Sequence, residues 1–274
     1  MKAAILQMTS GIDPHANAAT LTAAIAQARA GGATMLFTPE MSNILDRDRA
    51  RAARSIGAEA DDPVLAAVRD AAAKAGIWVH LGSLAVRGTD ERYANRGFVI
   101  DDTGAIRARY DKLHLFDVDL PTGESWRESA AYAPGHRAVV VDTPLGRLGL
   151  SICYDLRFPD LFRVLSDAGA TILAIPAAFT VPTGRAHWHV MLRARAIEAG
   201  AYVIASAQGG THADGRVTYG HSLAVCPWGE VACDLGPDPA LGYADIDQAT
   251  VADVRARIPA LAHRRPIPPV EIAS

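Results

Sequence analysis

Cysteine is scarce in this sequence of 274 residues, which contains only Cys153, Cys226 and Cys233. A low, odd number of cysteines argues against a disulfide framework. No two of them have the C-x-x-C spacing that is typical of zinc ribbons and redox motifs. Each cysteine must therefore be interpreted from its own surroundings, and Cys226 and Cys233, in or near predicted strands, are interpreted as structural.

Long apolar runs are also absent. No run approaches the roughly 18 apolar residues that span a bilayer, and the N-terminus lacks the charged region and long apolar region of a signal peptide. The net charge is only −3, and charged residues are spread along the chain, so nothing indicates a nucleic acid or an acidic membrane as partner. We expect a soluble, cytoplasmic protein that binds neither.

Several motifs of known catalytic and cofactor sites are missing. The sequence has no H-E-x-x-H, no Walker A, no G-x-S-x-G and no G-x-G-x-x-G in the right context. His187 and His189 are two residues apart on a predicted helix over Ala186–Ala199, where they face different directions. They are therefore not expected to share a metal ion.

Short apolar runs alternate with alanine-rich helical segments. Helices are predicted over Asp13–Ala30 and Asp62–Ala75, because each segment starts with Asp-Pro and is followed by glycine. Strands and helices alternate to the end of the chain, with hairpins among them, and this indicates a layered α/β fold with mixed sheets. Length alone slightly favours two domains. Because no linker or repeat is present, we predict one domain over residues 1–274 with two sheets.

Three polar residues follow predicted strands. Glu40 comes after Thr34–Phe37, Lys112 comes after Ile106–Tyr110, and Cys153 ends Leu148–Cys153. In layered α/β folds, ligands bind at the carboxyl ends of strands. An acid, an amine and a thiol at three such ends form a plausible catalytic group.

Taken singly, these residues have plainer interpretations. Glu40 alone fits a solvated loop, Lys112 alone fits the surface, and His114 fits a ligand, a base or a packed polar residue. Cys153 precedes a sharp strand-to-helix turn, with Pro159 in the first turn of the next helix. The helix N-terminus favours a thiolate of lowered pKa, whereas the alternative is a buried, inert cysteine. A long segment from Asp117 to Arg137 is predicted to be irregular.

Read together, three segments resemble the three signatures of the nitrilase (carbon–nitrogen hydrolase) superfamily, in the same order. They are Thr38-Pro39-Glu40, Lys112-Leu113-His114-Leu115-Phe116 and Cys153-Tyr154-Asp155-Leu156-Arg157-Phe158-Pro159. Further segments extend the resemblance over almost the whole chain: Pro182-Thr183-Gly184, Ala186-His187-Trp188, Arg193–Glu198, Gly220-His221-Ser222 and Pro227-Trp228-Gly229.

The resemblance implies an α-β-β-α sandwich with no cofactor and a Glu40–Lys112–Cys153 triad. A second glutamate is expected in the loop after the lysine; Glu128 matches that position, and Glu124 lies close by. Cys153 would attack an amide, with Lys112 and the Tyr154 backbone N–H stabilising the oxyanion. Glu40 would transfer protons, so that a thioester forms and ammonia and a carboxylate are released.

Within the superfamily, the chain most resembles the deaminated-glutathione amidases, which act in metabolite repair. The runner-up is ω-amidase, acting on 2-oxoglutaramate; nitrilase and N-carbamoyl hydrolase activities are less favoured. A non-catalytic scaffold of the same fold is an alternative of another class. Where that branch tends to carry a cysteine and a basic residue, this chain has Gly209-Gly210-Thr211, in a loop that we expect to border the substrate.

The expected substrate is a small anionic amide. Arg157 is the predicted cationic anchor because it closely follows the nucleophile, and Tyr154, Thr180 and Thr183 are also assigned to substrate binding. The superfamily usually assembles, so at least a homodimer is expected, or a larger homo-oligomer.

Overall fold

The computed structural model describes residues 1–88, 92–119, 123 and 125–273. Six α-helices lie in this part of the chain: α1 Pro14–Ala30, α2 Arg49–Ala52, α3 Pro63–Ala75, α4 Pro159–Asp167, α5 Val181–Ala199 and α6 Gln248–Arg257. Short 3₁₀ helices occupy Glu59–Asp61, Glu128–Ala130 and Cys153–Arg157. None of these helices is long and apolar enough to cross a membrane.

The strands of the described residues run in chain order: β1 Lys2–Gln7, β2 Met35–Phe37, β3 Trp78–Arg87, β4 Tyr93–Ile100, β5 Ile106–Asp111, β6 Asp117–Asp119, β7 Ser125–Arg127, β8 Val140–Thr143, β9 Gly146–Leu150, β10 Ile172–Ala174, β11 Tyr202–Ala205, β12 Gly209–Thr211, β13 Val217–Tyr219, β14 Leu223–Val225, β15 Val231–Asp234 and β16 Ala240–Asp245.

Two six-stranded sheets hold most of these strands. One has the order β16-β1-β2-β3-β4-β5 and the other has the order β15-β14-β11-β10-β9-β8. In the first sheet β1, β2 and β3 are parallel, and in the second β9, β10 and β11 are parallel; the flanking strands are antiparallel. Both sheets are therefore mixed, as predicted.

The layers follow from the two-residue period of the strands. In β1, Ala3 and Ile5 belong to the core that includes β9, β10 and β11, whereas Ala4 and Leu6 pack in the core that includes α1 and α3. Buried residues of α4 and α5 join the core of the second sheet. The order of layers is thus helices, sheet, sheet, helices, and the predicted α-β-β-α sandwich is confirmed.

The predicted helix starts are confirmed at atomic level. Asp13 accepts a hydrogen bond from the His15 N–H, and Asp62 accepts one from the Leu65 N–H, so each caps its helix. Gly76 ends α3 with a φ of 61°, a left-handed conformation that glycine adopts without a steric penalty.

Several predicted boundaries are wrong. Helix α5 begins at Val181 rather than Ala186, because Pro182 is tolerated in a first helical turn. The Asp117–Arg137 segment contains the β6–β7 hairpin, with Val118 paired to Trp126, instead of being irregular. Strand β9 ends at Leu150, so Cys153 lies beyond the strand, in the first position of a 3₁₀ helix.

Candidate active site

The ends of β2, β5 and β9 meet where the two sheets face each other, and they bring Glu40, Lys112 and Cys153 into one buried group. Lys112 Nζ lies 3.0 Å from Glu40 Oε1 and 2.8 Å from Glu128 Oε2. The thiol of Cys153 lies close enough to Glu40 and Lys112 for both charges to act on its pKa. An acid, an amine and a thiol from three loops therefore share one site.

Two carboxylates surround the amine of Lys112, and Asn95 connects them. The Asn95 amide donates to Glu40 Oε1 at 2.9 Å and to Glu128 Oε1 at 3.2 Å. Glu128 Oε2 also accepts from the Phe116 N–H at 2.7 Å. Glu128 thus occupies the place expected of a second glutamate, whereas Glu124 lies outside the described residues. Asn95 was not identified from the sequence, because a strand asparagine carries no motif.

Glu40 is held by both sheets. Its Oε2 accepts from the Ala178 N–H at 2.9 Å, and the Gln208 side chain donates to its backbone carbonyl at 2.8 Å. The next residue, Met41, has a φ of 55°, which is rare for a residue with a side chain. Backbone held in such a conformation is often found at functional sites, and here it accompanies the turn that directs Glu40 inward.

Cys153 has a left-handed backbone conformation as well, with a φ of 51°. Its N–H donates to the Pro176 carbonyl at 2.8 Å, which attaches this turn to the loop after β10. Tyr154 follows in the first turn of the 3₁₀ helix, where backbone N–H groups have no acceptor within the helix. Such an N–H beside the thiol can donate to a substrate oxygen.

Of the two interpretations of Cys153 left open by the sequence, the structure favours the buried thiol over the thiolate of lowered pKa. Burial raises the pKa of Cys153 well above its ordinary value, the Glu40 carboxylate raises it further, and Lys112 only partly offsets both. The 3₁₀ helix has five residues, and the partial charge of so short a helix does not outweigh desolvation. The thiol is therefore protonated at neutral pH and needs a base to become a nucleophile.

The amine of Lys112 remains charged despite its burial. Burial disfavours the ammonium form, but the Glu128 and Glu40 carboxylates outweigh burial and hold the pKa of Lys112 well above the ordinary lysine value. The ammonium group has three donors, and two carboxylates face it. A charged donor beside the thiol can stabilise negative charge on a substrate oxygen.

Asp155 connects the lysine loop to the cysteine loop. It is fully buried, and it accepts hydrogen bonds from the Tyr110 hydroxyl (2.7 Å), the Ile152 N–H (2.8 Å), and the N–H (3.0 Å) and ring Nδ1 (2.7 Å) of His114. His114 also stacks on Phe158 at 3.6 Å between ring centroids. His114 is thus a packed polar residue, and Asp155 fixes the positions of the segments that carry Lys112 and Cys153.

A cavity of about 520 Å³ opens from this group, within the ~300–1,000 Å³ range of small-molecule sites. The four residues predicted to bind substrate all line it: Tyr154, Arg157, Thr180 and Thr183. The guanidinium of Arg157 lies over the Tyr154 and Phe179 rings and donates to His187 Nδ1 at 3.2 Å.

The hairpin formed by β12 and β13 was missed from the sequence, although Asp-Gly in its turn is a strong hairpin signal. Its return strand contributes Arg216, Val217 and Thr218 to the cavity wall. We expected the loop containing Gly209–Thr211 to border the substrate site. The cavity is instead lined by the second half of this hairpin, residues 216–218. Arg216 is a cation of this wall that sequence reasoning did not identify.

One group of side chains could supply metal donors. The donor atoms of His189, His221 and Asp234 lie within 4.8 Å of one another. His187 instead contacts Arg157, so the two histidines of α5 face different partners, as predicted. Both His189 and His221 are hydrogen bonded to Asp234, and none of the three is among the described residues that line the cavity.

Comparison with known proteins agrees with this geometry. The carbon–nitrogen hydrolase family matches residues 2–256. The chain is similar to the deaminated glutathione amidase of Yersinia enterocolitica, with 38% identity over 96% of this chain and 92% of that protein. It is also similar in structure to the Caenorhabditis elegans NitFhit protein, with a TM-score of 0.90, 38% identity and 96% coverage of this chain. It spans 65% of that longer chain.

A further solved structure bears on the cysteine. It is a mutant amidase from Nesterenkonia sp. AN1 in which acrylamide has added to the active-site cysteine, with a TM-score of 0.79, 28% identity and coverage of 94% of this chain and 98% of that chain. With a family match over most of its length and such relatives, this chain belongs to the carbon–nitrogen hydrolase family of the nitrilase superfamily and is an amidase by class.

Proposed function

We propose that Cys153 hydrolyses the amide of a 2-oxo acid through a thioester, with deaminated glutathione as the preferred substrate. The observation that carries the proposal is the buried contact of Lys112 with Glu40 and Glu128 beside a protonated thiol. This arrangement supplies a nucleophile, a carboxylate base beside it, and a charged donor for the oxyanion.

In the first half-reaction, Glu40 takes the thiol proton as Cys153 Sγ attacks the amide carbon. Lys112 Nζ and the Tyr154 N–H donate to the oxyanion, and each such donor typically lowers the barrier by ~3–4 kcal/mol. The carbon–nitrogen bond then breaks, and Glu40 returns its proton to the leaving nitrogen. A thioester on Cys153 and a free amine are the products of this step.

In the second half-reaction, Glu40 removes a proton from water, whose oxygen attacks the thioester carbon. The carbon–sulfur bond breaks, the thiol regains its proton and a carboxylate leaves. Glu128 acts by positioning, because its two oxygens contact Lys112 Nζ and its Oε2 binds the Phe116 N–H. The same base thus serves both halves.

The leaving group distinguishes the two candidate substrates. Deaminated glutathione has no primary amide, so its hydrolysis releases an amine, cysteinylglycine. The release of ammonia expected from the sequence therefore applies only to a primary amide such as 2-oxoglutaramate. Both substrates leave the same 2-oxoglutaryl group on Cys153. A preference between them therefore arises in binding and acylation, and deacylation is common to both.

Deaminated glutathione is favoured because relatives at 38–39% identity over nearly the whole chain bear the name of that activity. The size of the cavity and its cations, among them Arg157, suit an anionic tripeptide derivative better than a small acid. Metabolite repair would be the physiological role of this activity. The alternatives are ω-amidase activity on 2-oxoglutaramate and, in another class, a non-catalytic scaffold.

The remaining proposals concern the chain as a whole. We propose one domain over residues 1–274, since the family match runs from residue 2 to residue 256, and a cytoplasmic location. A homodimer or larger homo-oligomer is supported by the exposed apolar side chains of Ile197 (54%) and Trp228 (52%), which line one hollow of the surface, since contiguous apolar patches often mark interfaces. Light scattering at micromolar concentration should give at least twice the monomer mass.

Release of 2-oxoglutarate tests the substrate proposal, because both candidates yield it. A kcat/KM at least ~100-fold higher for deaminated glutathione, equal to ~2.7 kcal/mol of transition-state preference, would support the proposal. The reverse ratio would assign the chain to ω-amidase. If neither compound released 2-oxoglutarate, both substrate assignments would be wrong. A non-catalytic scaffold would, in addition, hydrolyse no other amide.

A further inference from the structure

Two buried donors in the cavity wall have no acceptor in the described part of the chain. They are Arg216 Nε and Trp126 Nε1. The two side chains touch, since the Arg216 guanidinium lies 4.7 Å from the centre of the Trp126 ring, and both line the cavity. A buried donor without a partner is costly and uncommon in native structures, so two such donors in contact indicate a bound group that accepts from both.

The turn between β12 and β13 holds Arg216 rigidly. Asp214 accepts from the Arg216 N–H at 2.9 Å and from the Arg47 N–H at 2.8 Å, which attaches the turn to the segment after Glu40. Gly215, with a φ of 82°, allows the chain to reverse. His212 Nε2 pairs with the Thr218 hydroxyl at 2.7 Å and connects the two arms. The guanidinium is thus presented by a fixed hairpin.

The charge of Arg216 is incompletely compensated. The carboxylate of Asp214 reaches Arg216 Nη2 at 3.4 Å, and the oxygens of that carboxylate also accept from two backbone N–H groups. Burial accordingly lowers the pKa of Arg216 below its usual value, and Asp214 only partly opposes this effect. An anion in the cavity would complete the compensation and satisfy Nε.

We propose that Arg216 Nε and Trp126 Nε1 bind one carboxylate of the substrate, at an anchor separate from Arg157. The proposal rests on the proposed amidase function. An anion suits this pair because carboxylates accept hydrogen bonds from the guanidinium edge in a planar, charge-assisted geometry. The indole N–H can only donate, so the pair offers donors alone.

The anchor lies apart from Arg157 along a row of aromatic rings. Trp126 is 6.4 Å from Phe116, Phe116 is 5.1 Å from Tyr154, and Arg157 lies over Tyr154 at 5.9 Å. A row of contacts through three rings, those of Trp126, Phe116 and Tyr154, therefore runs from one guanidinium group to the other. Such a cavity suits a substrate with a carboxylate on each side of the scissile amide, as in deaminated glutathione, whereas 2-oxoglutaramate has only one carboxylate.

Binding of the two product halves to a Cys153→Ala protein tests the anchor without turnover. Calorimetry with 2-oxoglutarate and, separately, with cysteinylglycine gives the affinity of each half. Adding Arg216→Met should weaken one half by ~10- to 100-fold, because a charge-assisted hydrogen bond and an ion pair are lost. Loss confined to cysteinylglycine would locate the anchor on the leaving-group side, and loss confined to 2-oxoglutarate would locate it on the acyl side.

Two further variants separate binding from folding. Trp126→Phe keeps an aromatic ring but removes the N–H, and it should weaken the same half by ~3- to 10-fold. Arg147→Met is the matched control, because it removes an exposed guanidinium that pairs with Asp142 outside the cavity. The anchor is wrong if Arg216→Met binds both halves as tightly as the control does, or if the Cys153→Ala parent binds neither. A wrong substrate assignment is detected separately, in the hydrolysis assay.

Discussion

The cavity has two unlike regions. Around Lys112, each oxygen of Glu40 and Glu128 accepts at least one hydrogen bond from the protein. Around Trp126, two buried donors find no acceptor among the described residues. Apart from the buried Asn95 Oδ1, which has no hydrogen-bond partner among the described residues, the charged groups of the first region are paired before substrate arrives, so this region is preorganised for chemistry. The second is completed by a ligand, so it contributes to affinity and selectivity.

This contrast gives different expectations for substitutions in each region. Changes around Lys112 should lower kcat or stability, because they break a network in which the buried charges of Lys112, Glu40 and Glu128 are paired. Changes around Trp126 and Arg157 should mainly raise KM or weaken binding, because they remove contacts made with the substrate.

Among variants that keep the Cys153 thiol, the largest effect is expected at Glu40. Glu40→Gln should lower kcat by ~10²- to 10⁴-fold, since the base for both half-reactions is lost. The same variant should ionise Cys153 more easily, because Glu40 raises the pKa of the thiol and removal of its charge lowers that pKa. The pH profile of iodoacetamide alkylation should therefore move to lower pH relative to the parent. A profile that moved to higher pH would contradict the electrostatics described here.

The next largest effect is expected from loss of the buried charge of Lys112. Lys112→Met leaves Glu40 and Glu128 buried without their counter-charge, and the free energy of unfolding should fall by ~3–5 kcal/mol in urea denaturation. Adding Glu128→Gln should restore part of the loss by removing one of the two carboxylate charges. A loss below about 1 kcal/mol, as for an exposed ion pair, would mean that the group is hydrated.

A smaller loss of stability is expected at Asp155. Asp155→Asn replaces one acceptor oxygen by a donor that faces Tyr110, Ile152 or His114, and should cost ~1–3 kcal/mol of unfolding free energy. Because Lys112 and Cys153 then lose their shared support, kcat should also fall while KM changes little. Thermal unfolding and steady-state kinetics measure these effects. An unchanged kcat would mean that Asp155 contributes to stability but does not position the catalytic residues.

The smallest effect is expected at Arg157. Arg157→Ala should raise KM for anionic amides by ~3- to 10-fold, because this guanidinium already has His187 and two rings as neighbours. Arg147→Ala serves as the surface control. Steady-state kinetics with deaminated glutathione and 2-oxoglutaramate measure the effect; if KM for every anionic amide stayed unchanged, Arg157 would not be an anchor.

Sequence reasoning reached the fold class, the helix caps and the residues that form the buried group, because periodicity, Asp-Pro starts and three motifs are local signals. It did not reach Asn95, Asp155 or Arg216. Their importance depends on contacts between segments distant in sequence, such as Asn95 with Glu40 and Glu128. The sequence left the pKa of Cys153 open for a related reason. Burial depends on how the two sheets close over the thiol, and the residues next to Cys153 in sequence do not indicate it.

The central claim is that Cys153 is the nucleophile of an amidase. The most direct test compares kcat/KM for 2-oxoglutarate release by the parent, Cys153→Ala and Cys226→Ala, the last being a matched loss of a free cysteine outside the cavity. Cys153→Ala should lose at least ~10⁴-fold, while Cys226→Ala keeps the parent rate. If Cys153→Ala retained activity within about tenfold of the parent, a barrier change of only ~1.4 kcal/mol, the thioester mechanism would be contradicted.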